Sequence, residues 1–115
     1  MASLHKSAYV ASKHGVIGLT RTVALETAQD NNLTCNAICP GWVRTPLVEA
    51  QIQARADASG KSVAEEAEEL LSEKQPSKQF VRPEDLGQYA AFLCGDHAQQ
   101  MTGQSLTVDG GWTSA

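Results

Sequence analysis

The stretch Leu33-Thr34-Cys35-Asn36-Ala37-Ile38-Cys39-Pro40-Gly41-Trp42 decides the fold. Residues 33–39 form a short, largely apolar run, and Pro40-Gly41 closes it. That length and that ending predict a buried strand of a parallel sheet, with a sharp turn at its carboxyl end. Upstream, residues 4–28 read as one long helix. Val10, Val16, Ile17, Leu19, Val23, Ala24 and Leu25 recur at helical spacing, and Ser3 or Ser7 is placed to cap it. The polar loop Gln29-Asp30-Asn31-Asn32 separates the helix from the strand.

Downstream the pattern changes. Leu47, Val48 and Ile52 give a short amphipathic stretch, broken at Ala58-Ser59-Gly60. Ser62-Val63-Ala64-Glu65 matches a capping box, and Val63, Ala67, Leu70 and Leu71 form an apolar stripe behind it. Two short helices between a Pro-Gly turn and a later core helix read as a lid over about 46–76. Arg82-Pro83-Glu84-Asp85 then opens a helix, since proline suits the first helical position and acids suit the positive helix end. Leu86, Ala90, Ala91, Phe92 and Leu93 are its expected buried face, and Gly95 can end it. Leu106-Thr107-Val108 reads as a last strand before the turn Asp109-Gly110-Gly111. The order helix, strand, lid, helix, strand is the tail of an alternating α/β pattern. Two strands do not make a stable parallel sheet alone, so further strands are expected elsewhere.

Composition excludes several functions. The chain is 42% hydrophobic and 19% charged, with net charge −4, which suits a globular domain and not a polyanion binder. Lys and Arg form no run. The acidic group Glu65, Glu66, Glu68 and Glu69 reads as a solvated helix face. Three cysteines, Cys35, Cys39 and Cys94, show no metal-ligand spacing, so no metal is expected and a reducing, cytoplasmic setting fits. No leader and no membrane segment is expected.

Chemistry enters at Tyr9-Val10-Ala11-Ser12-Lys13. Positions i and i+4 sit one above the other on a helix, so phenol and ammonium can face one pocket. A cation there favours phenolate, which lets the tyrosine exchange a proton with a carbinol or ketone. In open α/β sheets ligands bind beyond the carboxyl ends of strands, where Pro40 and Gly41 lie. Gly41 permits a close approach by a flat ligand, and Thr45 offers a hydroxyl.

Taken together these segments resemble the short-chain dehydrogenase/reductase family. Tyr9 and Lys13 match its Y-x-x-x-K motif, and Asn36 through Thr45 match its N-x-[IV]-x-P-G-x-x-x-T segment. The helix from Arg82-Pro83-Glu84-Asp85 and the ending Thr102-Gly103-Gln104 through Asp109-Gly110-Gly111 match as well, in order and at the right spacing. The resemblance implies the C-terminal half of a Rossmann-type, doubly wound parallel sheet with a helical substrate lid. It implies Tyr9 as general acid/base, and Lys13 as the cation that assists it and holds the nicotinamide ribose. Pro40, Gly41, Val43 and Thr45 would contact the nicotinamide end of NAD, with NADP left open. The family's T-G-x-x-x-G-x-G turn and N-A-G segment have no counterpart. Ser3 and Ser7 lie too close to Tyr9 to be its catalytic serine. The N-terminal nucleotide-binding half is therefore expected to be absent.

Within the family, the likeness is to members that oxidise 3-hydroxybutyrate to acetoacetate. It rests on His5-Lys6-Ser7-Ala8-Tyr9, on Cys35 through Val48, on Glu73-Lys74-Gln75-Pro76-Ser77 and on Asp109-Gly110-Gly111-Trp112. It implies that Lys6 and Gln51 bind a small hydroxy acid by its carboxylate. Trp42 and Trp112 wall the pocket or fill the core, and His5 and His14 serve the surface or packing. The complete enzyme would be a homotetramer. Two other readings stand beside this one: another short-chain reductase, such as a 3-oxoacyl-carrier-protein reductase, and a truncated, non-catalytic polypeptide.

The isolated 115-residue chain is expected to lack turnover of 3-hydroxybutyrate and to associate through its uncovered apolar helix faces. Steady-state assays and light scattering of the purified chain check this. Family-like turnover, or a sharp monomeric melting transition, would contradict it.

Overall fold

The computed structural model describes residues 2–30 and 32–114. Its elements are α1 (Ser7–Glu26), β1 (Ala37–Pro40), α2 (Pro46–Ser59), α3 (Val63–Lys74), α4 (Pro83–Leu93) and β2 (Ser105–Val108), with single 3₁₀ turns at Asp96–Ala98 and Trp112–Ser114. The two strands pair as a parallel ribbon. This is the α/β order expected from the sequence. The chain forms two compact units, Met1–Ile38 with Ala90–Leu106, and Cys39–Tyr89 with Thr107–Ala115.

In the first unit, α1 is shorter at both ends than the expected 4–28, and neither serine caps it. His5 adopts a left-handed φ of 59°, so the chain turns in just ahead of the helix. That turn puts Lys6 at the cap position, with no side-chain hydrogen bond, and Ser7 already inside the helix. Only Thr20 and Ala24 of α1 are buried. The strand likewise begins later than the apolar run. Residues 33–36 lie ahead of the strand, where the Thr102 and Asn36 side chains share the pairing with a backbone bond from the Gly103 N–H to the Cys35 carbonyl at 2.7 Å. The Thr102 hydroxyl accepts the Cys35 N–H at 3.1 Å. Asn36 donates Nδ2 to the Met101 carbonyl at 2.6 Å and accepts the Gln104 N–H at 3.1 Å. The strand proper begins with the Ala37 N–H donating to the Gln104 carbonyl at 2.8 Å.

The second unit contains a helical pair with its own core. Val48 and Ile52 of α2 pack with Ala67 and Leu70 of α3, and Trp42, Val63 and Phe80 close around them. Burying an aliphatic side chain of this size is worth roughly 1.5–3 kcal/mol. Thr45 caps α2, and Gly60 ends it with φ 77°, a conformation that suits a residue lacking a β-carbon. The capping box forms as expected: the Ser62 hydroxyl accepts the Glu65 N–H, and the Glu65 carboxylate accepts the Ser62 N–H. Arg55 bridges the pair, donating Nε to Glu66 at 2.9 Å and Nη2 to Glu73 at 2.6 Å. Hydrogen bonds from Ser59 and Arg55 hold the Glu66 carboxyl below the ordinary carboxylate range.

Pro83 is the first residue of α4, and Arg82 grips Asp85 through two hydrogen bonds at 2.9 and 2.6 Å. The expected buried face of α4 is not buried. Ala90, Ala91 and Phe92 are exposed, and Leu86 and Leu93 are half-buried. On α1, Val16, Leu19 and Leu25 are exposed too, Leu25 to 80%. The described sheet has only two strands, so these stripes find too few apolar partners within the chain. No helix among the described residues is long and apolar enough to cross a membrane.

Replacing Ser62 by Ala removes an N-cap acceptor and is expected to cost about 1 kcal/mol. Urea midpoints of parent and Ser62→Ala, with unchanged m-values, check this.

Candidate active site

In the first unit, Tyr9 and Lys13 lie one turn apart on α1. The Lys13 ammonium stands 5.4 Å from the centre of the Tyr9 ring. Tyr9 is 59% exposed, so its phenol can meet a ligand. Helical spacing alone brings this pair together, with the ammonium over the face of the ring. The Ser12 hydroxyl is turned back to the Tyr9 carbonyl at 2.8 Å and does not compete for the phenol. Lys6 is also exposed, but it sits at the cap position, outside the helix. Its carbonyl accepts the Val10 N–H at 2.8 Å. Lys6, inside the helix expected over 4–28, therefore sits instead at the mouth of α1.

In the second unit the turn after β1 carries the other expected residues. Pro40 ends the strand and is exposed. The Gly41 N–H donates to the Val108 carbonyl at 2.9 Å. A β-carbon at Gly41 would lie 2.5 Å from Gln75 Oε1 and 3.0 Å from Asp109 Cα, so only glycine fits this crossing. Val43 pairs with Val81 in a parallel bridge. Thr45 Oγ1 accepts the Val48 N–H at 3.4 Å, which leaves its own proton free to donate. Gln51 lies on the exposed side of α2.

Trp42 packs against Trp112, with ring centres 6.0 Å apart and planes tilted by 32°. The Lys74 ammonium stands 5.3 Å over the Trp112 ring. Asp109 anchors the turn that carries Trp112. It is buried, and its carboxylate accepts the Gly111 N–H at 3.0 Å, the Thr113 N–H at 2.9 Å and the Thr113 hydroxyl at 2.7 Å. Burial pushes this carboxyl up, but the donors of Thr113, Gly111 and Trp112 outweigh it and hold Asp109 below the ordinary aspartate range.

The structure thus gathers Tyr9 with Lys13 in one unit, and Pro40, Gly41, Trp42, Val43 and Thr45 in the other. Cys35 and Cys39 are half-buried, and Cys94 is exposed. Sequence reasoning missed Gln75, whose side chain is 1% exposed and reaches the Gly41-Trp42 turn. Its one signal is a polar residue before proline at the end of an amphipathic helix, which marks a helix stop and nothing more.

Residues 1–113 match a family model described as enoyl-(acyl carrier protein) reductase. The chain is 54% identical over 114 residues to D-beta-hydroxybutyrate dehydrogenase of Cupriavidus necator, covering 99% of this chain and 44% of that protein. It superposes on a short chain dehydrogenase family protein from Francisella tularensis with TM-score 0.91 and 30% identity, over 100% of this chain and 47% of the other. It also superposes on 4-hydroxyisoleucine dehydrogenase complexed with NADH, with TM-score 0.82 and 33% identity, over 100% and 43%. The chain spans less than half the length of each of these three proteins.

The depressed Asp109 titration has a consequence for stability. A carboxyl whose folded value is lowered stabilises the fold above its unfolded value, about 3.9, and loses that contribution as pH falls through the folded value. Asp109→Asn turns an amide N–H₂ toward donors that need an acceptor, and is expected to cost about 1–3 kcal/mol at pH 7. The gap between parent and variant should shrink by pH 3. Urea midpoints at both pH values check this; an equal gap at both would contradict it.

Proposed function

Because this chain belongs to the short-chain dehydrogenase/reductase family, we propose that it is the C-terminal part of a nicotinamide-dependent dehydrogenase that interconverts 3-hydroxybutyrate and acetoacetate. The observation that carries the chemistry is the Lys13 ammonium beside the exposed Tyr9 ring. The 54% identity to D-beta-hydroxybutyrate dehydrogenase supports the substrate.

In this reading Tyr9 is the general acid/base, giving its proton to the ketone oxygen or taking it from the alcohol. Lys13 stabilises the phenolate that remains and holds the nicotinamide ribose. Bound NAD, or NADP in its place, supplies the hydride acceptor. The residues at the turn suit the nicotinamide end. Pro40 and Val43 offer apolar surface, Gly41 keeps the backbone bare, and Thr45 retains a hydroxyl proton for a carboxamide oxygen. Lys6 and Gln51 are assigned to the substrate carboxylate, and Trp42 to the apolar side of the substrate. The α2–α3 pair, continued to about residue 76, acts as the lid. The complete enzyme is assigned as a homotetramer.

Two substitutions in the complete dehydrogenase test this. Tyr9→Phe removes the proton donor and is expected to lower kcat at least about 10²-fold; a loss of only a few-fold would exclude Tyr9 as acid/base. A charge-assisted hydrogen bond is worth roughly 1.5–3 kcal/mol. Lys6→Ala is therefore expected to cut kcat/KM for 3-hydroxybutyrate about 10- to 100-fold, with little change for its uncharged methyl ester. Gln51→Ala acts in the same direction but more weakly. Equal losses for acid and ester would remove the carboxylate role of Lys6.

A further inference from the structure

The Gln75 side chain is polar yet almost fully buried, and it is satisfied at both ends. Its Oε1 accepts the Trp42 N–H at 2.9 Å, and its Nε2 donates to the Gln79 carbonyl. Its own N–H closes the end of α3 on the Leu71 carbonyl at 2.8 Å. The Trp42 carbonyl is held by the Val81 N–H at 2.9 Å. By contrast, Trp42 Nε1 is buried with no hydrogen-bond partner among the described residues. Packing against Trp112 and the α2–α3 core, together with the grip on its backbone, sets where the Trp42 ring lies, since its polar tip is not pinned. The bare α-carbon of Gly41 lets Gln75 come this close, since a β-carbon there would collide with Oε1.

We propose that Gln75 is a positioning residue: by gripping the Trp42 backbone it fixes the Gly41-Trp42 turn, assigned above to nicotinamide and substrate, to the end of α3. This rests on the dehydrogenase reading for its catalytic consequence but not for its structural one. A turn fixed in this way controls how the reacting groups are aligned more than how tightly the cofactor is bound. A misplacement of about 1 Å is worth about 10²-fold in rate.

The test uses the complete dehydrogenase labelled with 5-fluorotryptophan, with the Trp42 resonance assigned by Trp42→Phe. Gln75→Met keeps the length but removes both hydrogen bonds. It is expected to shift the Trp42 resonance and to lower kcat about 10- to 100-fold, with the NAD dissociation constant within threefold of the parent. Gln75→Glu keeps the acceptor for the Trp42 N–H, but it regains the donor toward Gln79 only when protonated, and burial favours the protonated form. Relative to the parent at each pH, Gln75→Glu is expected to match the parent near pH 5 and to fall between the parent and Gln75→Met near pH 9, where the carboxylate still accepts the Trp42 N–H but the Gln79 carbonyl repels it and loosens the grip, with resonance and kcat moving together. Should Gln75→Met fail to fold, this pH-dependent recovery carries the test. An unmoved Trp42 resonance, or a kcat ratio for Gln75→Glu that does not change with pH, would overturn the proposal. A parent that turns over no hydroxy acid would sink the dehydrogenase reading, while the Trp42 resonance still decides whether Gln75 holds the turn.

Discussion

Two consecutive amides leave the end of β1, and each must find an acceptor in a crowded place. The Gly41 N–H takes the Val108 carbonyl of the neighbouring strand, and the Trp42 N–H takes the side chain of Gln75. A buried N–H without a partner costs about as much as a lost hydrogen bond, so the turn is over-determined. The rest of the second unit hangs from it. The Val43–Val81 bridge follows directly, then the Thr45 cap, then α2. Asp109 closes the opposite side, packing its α-carbon close to Gly41 while its carboxylate organises the turn that carries Trp112.

Much of this was legible because its signals are local. Thr45, Gly60 and the Ser62–Glu65 box fix helix ends through bonds that span no more than four residues, so α2 and α3 could be read from the chain. Tyr9 and Lys13 meet because helical spacing alone brings them together. The start of α1 was not legible, since it depends on the left-handed turn at His5, a conformation that residue type adopts only in context. The strand start was missed for a similar reason: the side chains of Asn36 and Thr102, about 66 residues apart, stand in for part of the backbone pairing ahead of Ala37. Gln75 is the clearest case. Its neighbours announce the end of a helix, but only tertiary structure shows the side chain turning inward to an amide 33 residues away.

The apolar faces of α1 and α4 illustrate a different limit. Periodicity correctly marks which positions are apolar, yet burial depends on what lies against them. Val16, Leu19, Leu25 and Phe92 stay exposed here because two strands offer little surface to cover them.

The Arg55 bridge has an implication of its own. One guanidinium ties α2 to α3 at two points, its proton held firmly by Glu73 and Glu66, beneath a core of Val48, Ile52, Ala67 and Leu70. Residues 46–74 therefore carry most of their own core, which Trp42 and Phe80 complete from outside the segment. Outward positions such as Gln51 take no part in the clasp, so substitutions there leave the pairing of α2 with α3 intact.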